Sequence, residues 1–306
     1  MKLRHLLTLA LLTTAAHAQA HPVTGAEVLR LTQQYVDVAP RRYVTSPGHI
    51  AAENFIKSHF APEAAHGNLI DDTFTATTPI GPVRMHNYIV KFPGKRDGII
   101  VLASHYETNY PLKDIAFVGA NDGACTTALL IALGQYYRTH PPTGYSVWLL
   151  FDDGEEAIGK DGMVGSDQLY GVRHIAAKWS GDGTLAHIKA FIVADMIGWK
   201  QMNIDREGNS TPWLVDLLER AGKDTGHSAY LFKNSNTIED DHIPFKDRGV
   251  PVLDVIDFEY GLPDKSRPGE YTFHHTAQDS MDKLSATSLQ VSADLFLDLI
   301  KLIDQR

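Results

Sequence analysis

The chain has 306 residues, 43% of them hydrophobic, and a formal net charge of −9. That size and apolar content are enough for one substantial α/β domain, and the acidic balance, with no dense Lys/Arg cluster interleaved with aromatics, argues against nucleic acid as a partner. The one cysteine, Cys125, excludes an internal disulfide, so stability must come from the core and from any metal the chain carries.

Residues 1–20 read as a secretory signal: Lys2 and Arg4 precede the apolar run 6–12, and small residues follow at Ala16, Ala18 and Ala20. That run is too short to cross a hydrocarbon core, which needs about 20 residues, and no later segment qualifies. The expectation is an exported protein, periplasmic or secreted, with no membrane span, whose residues 21–306 form a single domain.

Residues 25–38 and 48–60 have helical spacing, with Leu29, Leu31, Phe55 and Ile56 among the apolar positions and Ser46-Pro47-Gly48 as the break between them. Strands are expected over 86–92, 98–104, 145–151, 190–195 and 251–256, and further helices over 123–137, 168–177, 212–223 and 286–303. The last is amphipathic, with Leu289, Val291, Leu295, Leu297 and Ile300 supplying its apolar surface. Residues 261–269, with two prolines and three charges, read as a long surface loop of the kind that lines or covers sites. The runs 99–103 and 147–151 are near-continuously apolar, which suits strands covered on both faces. The fold expected is α/β: a three-layer α/β/α sandwich around a central mixed, mostly parallel sheet.

The chemistry gathers where strands end. Glu155 and Glu156 follow the strand 145–151, His105 follows 98–104, Asp122 sits in a Gly-bearing loop that opens a helix, Asp195 closes 190–195, and His275 comes late. Ligands of open α/β sheets bind beyond the carboxyl ends of the strands. Adjacent glutamates there can divide the work, one holding a metal and the other moving a proton. Zinc accepts His nitrogen and carboxylate oxygen, and a catalytic site keeps one position open; Asp122, Glu156 and His275 would make such a site. Spacing alone leaves this open, because the ligands are spread over most of the chain and an acidic loop is as readily a solvated surface. Cys125, in an apolar helix, reads as a small buried hydrophobe, and Trp148 and Trp199 as packing residues.

Several motifs then agree in order and residue type: Ser46-Pro47-Gly48, Ala103-Ser104-His105-Tyr106, the run Phe117 to Asp122, Asp153-Gly154-Glu155-Glu156-Ala157, Gly165 to Gly171, Asp240-Asp241-His242-Ile243-Pro244-Phe245, and Arg248-Gly249-Val250-Pro251-Val252. With these the chain resembles the glutaminyl-peptide cyclotransferases, or glutaminyl cyclases, which share their fold with zinc aminopeptidases. Asp122, the glutamate pair and His275 look like positions common to that whole superfamily. The segment from Ser166 to Gly171 and the Asp240 motif look specifically cyclase-like.

The resemblance implies one zinc per chain, held by Asp122, Glu156 and His275, and a substrate that is a peptide or protein with an N-terminal glutamine, cyclised to pyroglutamate with release of ammonia. Glu155 would be the general base and then acid. Asp195 and Asp240 would form a second carboxylate pair, and Ile238, Glu239 and His274 would line the glutamine pocket; a monomer is expected. Three positions depart from the animal enzymes: His274 and Asp161 stand where those have tryptophans, and Glu239 replaces a glutamine. The loop 259–271 is also longer here. The chief alternative is a two-zinc aminopeptidase, with His105 and Asp195 as ligands of a second metal, although Glu107 stands where that family usually has aspartate. A noncatalytic ectodomain that keeps the fold for binding is the other, set against the intact Asp122, Glu155, Glu156 and His275.

Overall fold

The runs 99–103 and 147–151 have no polar face to offer water, and in the computed structural model, which describes residues 21–160 and 166–306, they lie side by side at the centre of a six-stranded sheet. The expected signal at 1–20 and the pocket position Asp161 fall outside the described residues. The strands are β1 (Leu69–Thr78), β2 (Gly81–Phe92), β3 (Arg96–His105), β4 (Tyr145–Asp152), β5 (Ile188–Asp195) and β6 (Val252–Ile256), in the order β1-β2-β4-β3-β5-β6. β4, β3, β5 and β6 are parallel, while β2 runs antiparallel to both β1 and β4. The sheet is mixed and mostly parallel, as its composition implied.

Alternate residues of the parallel strands feed two separate cores. Ile100, Leu102, Leu149, Phe151, Ile192 and Val255 pack under one layer of helices: α1 (Gly25–Val38), α4 (Cys125–Thr139), α6 (Pro212–Asp224) and α8 (Ala286–Asp304). Val101, Ala103, Leu150, Phe191 and Val193 face the other layer, where α5 (Tyr170–Asp182) contributes Val172, Ile175 and Trp179 and the short α7 (Ile243–Lys246) contributes Phe245. Burying an inward side chain of the size of valine, leucine or phenylalanine contributes roughly 1.5–3 kcal/mol, which is why the centres of β3, β4 and β5 are apolar; Asp254, midway along β6, is the buried exception. Two further helices, α2 (Pro47–His59) and α3 (Ala61–Ala65), complete the set among the described residues.

The structure departs from the sequence expectations in places that have physical causes. β1 was not expected: it is an edge strand whose alternation is carried by Thr and Asp as much as by apolar residues, with every other side chain exposed along much of its length. Its pairing draws the start of β2 back to Gly81. The helix expected from 123 begins at Cys125, because Asp122 (φ −86°, ψ 95°) and Gly123 (φ +82°) break the helical path. Cys125 itself is buried, donates to the Asn121 carbonyl at 3.2 Å, and has its thiol pushed well up by burial, so it is no nucleophile. Trp148 packs edge-on against Trp179 with Lys91 over its ring, and Trp199 packs edge-on against Tyr260 and Phe273.

Candidate active site

All four parallel strands deliver side chains to one end of the sheet. β3 ends on His105, β5 ends on Asp195, β6 ends on Ile256 with Phe258 just beyond, and the turn after β4 carries Glu155 and Glu156. A small cavity of about 60 Å³ opens there. The residues expected as metal ligands, Asp122, Glu156 and His275, as proton carriers, Glu155, Asp195 and Asp240, and as pocket walls, Ile238, Glu239 and His274, all line it, while His105 does not. Met196, Ile256 and Phe258 also line it and were not foreseen, since each reads as an ordinary apolar residue near a strand end.

The donor atoms form a tight group. His275 Nε2 lies 3.0 Å from Glu156 Oε1 and 3.4 Å from Asp122 Oδ2, and His105 Nε2 lies 3.2 Å from Asp122 Oδ1 and 3.5 Å from Asp195 Oδ1. Asp122 Oδ2 and Asp195 Oδ1 are buried without any hydrogen bond. A buried carboxylate oxygen with no donor is costly, and a cation removes that cost. Imidazole nitrogen and carboxylate oxygen are the donors that zinc accepts, so the residues present fit the ion. His275 adopts φ +54°, a left-handed backbone rare outside glycine, and such strain gathers at functional sites.

Asp122 reaches the cavity because the chain kinks. Gly123 at φ +82° turns the backbone, and a Cβ there would lie 2.8 Å from His105 Cε1, so only glycine lets the Asp122 loop pass so close to the end of β3. Asp279 accepts the amide hydrogens of Asn121 and Asp122 at 2.8 and 3.1 Å and the Tyr260 hydroxyl at 2.9 Å. Arg42, fully buried, donates to the carbonyls of Tyr106, Val118, Gly119 and Asp122 at 2.6–3.0 Å, tying the loop after β3 to the kink. Asn109 donates to Glu156 Oε2 at 2.7 Å, and the Glu156 amide donates to Glu107 Oε1 at 3.1 Å. These supports were missed, because a lone Arg, Asn or Asp carries no periodicity that could betray it.

Burial and the neighbouring Glu156 push the Glu155 carboxyl well above the usual carboxylate range. Burial, with Asp195 close by, pushes Asp240 up to about 8, and burial also raises Asp195. Two like charges in one low-dielectric site cannot both ionise cheaply, so the pair Asp195 and Asp240 holds a proton near neutrality. Behind Asp240 the same physics keeps Asp241, beside Asp152, and Asp254 well up. Burial lowers His274 to about 3, so its ring is neutral where it stands against His275, with ring centroids 4.1 Å apart. The arrangement can hold a dication, carry a proton on Glu155, and seat a short side chain against Ile238, Ile256 and Phe258.

Residues 87–300 match Peptidase family M28. The chain is 30% identical over 250 residues to a bovine glutaminyl-peptide cyclotransferase-like protein, a match that takes in 69% of this chain and 61% of that one. It superposes with a TM-score of 0.91 on a solved glutaminyl cyclase from an Acidobacteriales bacterium, at 60% identity over 97% of this chain and 100% of the other. A zinc-dependent exopeptidase from Parabacteroides distasonis shares the fold, with a TM-score of 0.79 at 20% identity over 94% of this chain and 100% of that one.

Proposed function

The chain belongs to peptidase family M28 and to the glutaminyl cyclases within it, and from that membership we propose that it converts the N-terminal glutamine of peptides and proteins to pyroglutamate with release of ammonia. The observation that carries the reading is the small cavity in which the raised carboxyl of Glu155 shares walls with the donors Asp122, Glu156 and His275 and with the apolar side chains of Ile238, Ile256 and Phe258.

Asp122, Glu156 and His275 would hold one zinc per chain, which supplies a Lewis acid toward the γ-carbonyl oxygen. The cavity walls hold the glutamine side chain folded back, so that the α-amine faces the carbonyl carbon of its own side-chain amide and attack is an oriented intramolecular step. Glu155 takes the proton released by the amine and passes it to the departing amide nitrogen; a carboxyl raised above its usual range suits both transfers. Asp195 and Asp240 share a proton and offer hydrogen bonds to the nitrogen that gains or loses one. Ile238, Glu239 and His274 flank the bound glutamine, with His274 neutral and Glu239 exposed at the rim.

One observation favours the two-zinc aminopeptidase: His105, Asp122 and Asp195 approach within ligand distance of each other. On the other side, Glu107 turns its Oε1 to the Glu156 amide, and the 60% identical neighbour is a cyclase. The protein is further proposed to act as an exported monomer, residues 1–20 being removed; among the described residues no helix is long and apolar enough to cross a membrane.

The test is to incubate the zinc-loaded protein with Gln-Phe-Ala and follow the products by mass spectrometry. Loss of ammonia with the chain intact is expected. Release of free glutamine would mean an aminopeptidase instead.

A further inference from the structure

Ser46-Pro47-Gly48 is a motif that the chemistry above leaves without a task, and its geometry points toward the glutamate turn. Ser46 Oγ accepts the His49 amide at 2.9 Å and so caps α2, Pro47 occupies the first helical turn, and a Cβ on Gly48 would lie 2.0 Å from the Arg41 carbonyl oxygen. The three residues therefore start a helix in the one place where its N-terminus can press on the preceding chain. The side chain presented there is His49.

His49 is buried, 3% exposed, and its Nε2 stands 2.8 Å from Asp153 Oδ1. Its other nitrogen lies 3.5 Å from Glu53 Oε1, and its ring stacks on Tyr106 with centroids 5.4 Å apart. Asp153 is fully buried and is the residue that opens the turn to Glu155 and Glu156. Its second oxygen accepts the His86 amide at 3.0 Å, and its own amide donates to Asn87 Oδ1 at 3.2 Å. Past Asp153, the carbonyls of Gly154 and Glu155 accept the amides of Tyr170 and Leu169 at 2.7 and 2.8 Å. Of these grips on the turn, His49 supplies the only imidazole, and it comes from α2, an element that does not touch the cavity.

We propose that His49 is a positioning residue: through Asp153 it sets the turn that aims Glu155 at the substrate and Glu156 at the metal. The inference rests on the roles given to those two glutamates under the proposed function. No contact joins His49 to the cavity, so its effect on the site passes through its partners, and of these Asp153 is the one bonded into the glutamate turn. Removing an outer partner of a metal site costs about 10–100-fold in metal affinity or activity, and that is the range to look for.

Three readouts test it: the zinc dissociation constant of the metal-free protein by chelator competition, the split of kcat from KM, and hydrogen exchange at the Leu169 and Tyr170 amides in metal-free protein. His49→Ala is expected to loosen zinc at least tenfold, to lower kcat by a similar factor with KM within threefold, and to speed exchange at those two amides. His49→Gln, whose amide can still donate to Asp153, is expected to recover most of each loss. Wild-type zinc affinity and exchange in His49→Ala would overturn the proposal, as would equal losses in Ala and Gln that track the folded fraction. If His49→Ala does not fold, Asp153→Asn is measured in its place with the same expectations. The exchange and zinc readouts need no turnover, so a failure of the cyclase reading would leave them to decide the role of His49 alone.

Discussion

The two banks of the cavity are built on different plans. On the polar bank hydrogen bonds reach side chain and supporting backbone alike: Asn109 holds the Glu156 carboxylate, Asp279 the Asp122 amide, and His86 and His49, through Asp153, the turn that carries the glutamates. On the apolar bank the grips fall on the backbone. The Ile238 amide donates to Glu207, its carbonyl accepts Asn209, and the Phe258 amide donates to Asp205, while the Ile238 and Phe258 side chains are only half-buried and held by packing against Met196, Ile256 and Tyr260. Metal and proton chemistry needs atoms fixed within tenths of an ångström, whereas a pocket for a flexible side chain needs shape alone. Changes on the first bank should therefore appear in rate, and changes on the second in affinity.

The largest test of that contrast is Glu155→Gln. Removing a general base costs about 10²–10⁴-fold, so kcat should fall by about 10³ with KM little changed and with zinc retained. Kinetics and metal analysis on the same sample check this. One zinc per chain is expected; two would assign His105, Asp122 and Asp195 to a second ion. A kcat loss below tenfold would remove Glu155 from the proton transfer.

On the other bank, Phe258→Ala should raise KM for a glutaminyl peptide by about 10-fold, the effect of trimming an apolar wall, with kcat within threefold. Steady-state kinetics over a peptide concentration series separate the two. A loss confined to kcat would show that Phe258 positions the reacting atoms, and the distinction between the banks would fail.

The same distinction explains what was legible in the sequence. The parallel strands announce themselves because both faces are buried, and the residues at their ends, His105, Glu155, Glu156 and Asp195, could be picked out by position alone. Asp240, Ile238, Glu239 and His274 sit on irregular loops and were found only through motifs that resemble the cyclases. β1 stayed hidden because an edge strand with one wet face needs few apolar residues. Arg42, Asn109 and Asp279 stayed hidden for a different reason: each acts through hydrogen bonds to residues distant in the chain, and no local pattern encodes such a partner. His49 lay beside a recognised motif, yet only the fold shows that its partner is Asp153.

The smallest effect concerns the protonation of that support. Burial alone would lower the His49 pKa, but Asp153, and behind it Glu53 and Glu107, outweigh it, and the pKa is raised above the usual histidine value. The groups facing the ring are Glu53 on α2, itself 3.7 Å from Lys57, then Asp153 just past β4, and Tyr106 and Glu107 just past β3. A histidine whose folded pKa exceeds its unfolded value stabilises the fold fully below the unfolded pKa, about 6.5, and loses that contribution as pH rises through the folded value. His49→Gln carries no proton to lose. The melting-temperature gap between wild type and His49→Gln should thus be widest below about pH 6.5 and should narrow, by roughly 2 °C, as the solution becomes alkaline. Glu107, raised by burial to about 7, titrates in both proteins and so largely cancels in the difference. A gap that stays constant across this range would mean that His49 grips Asp153 as a neutral donor, which keeps the positioning role and removes the charge from it.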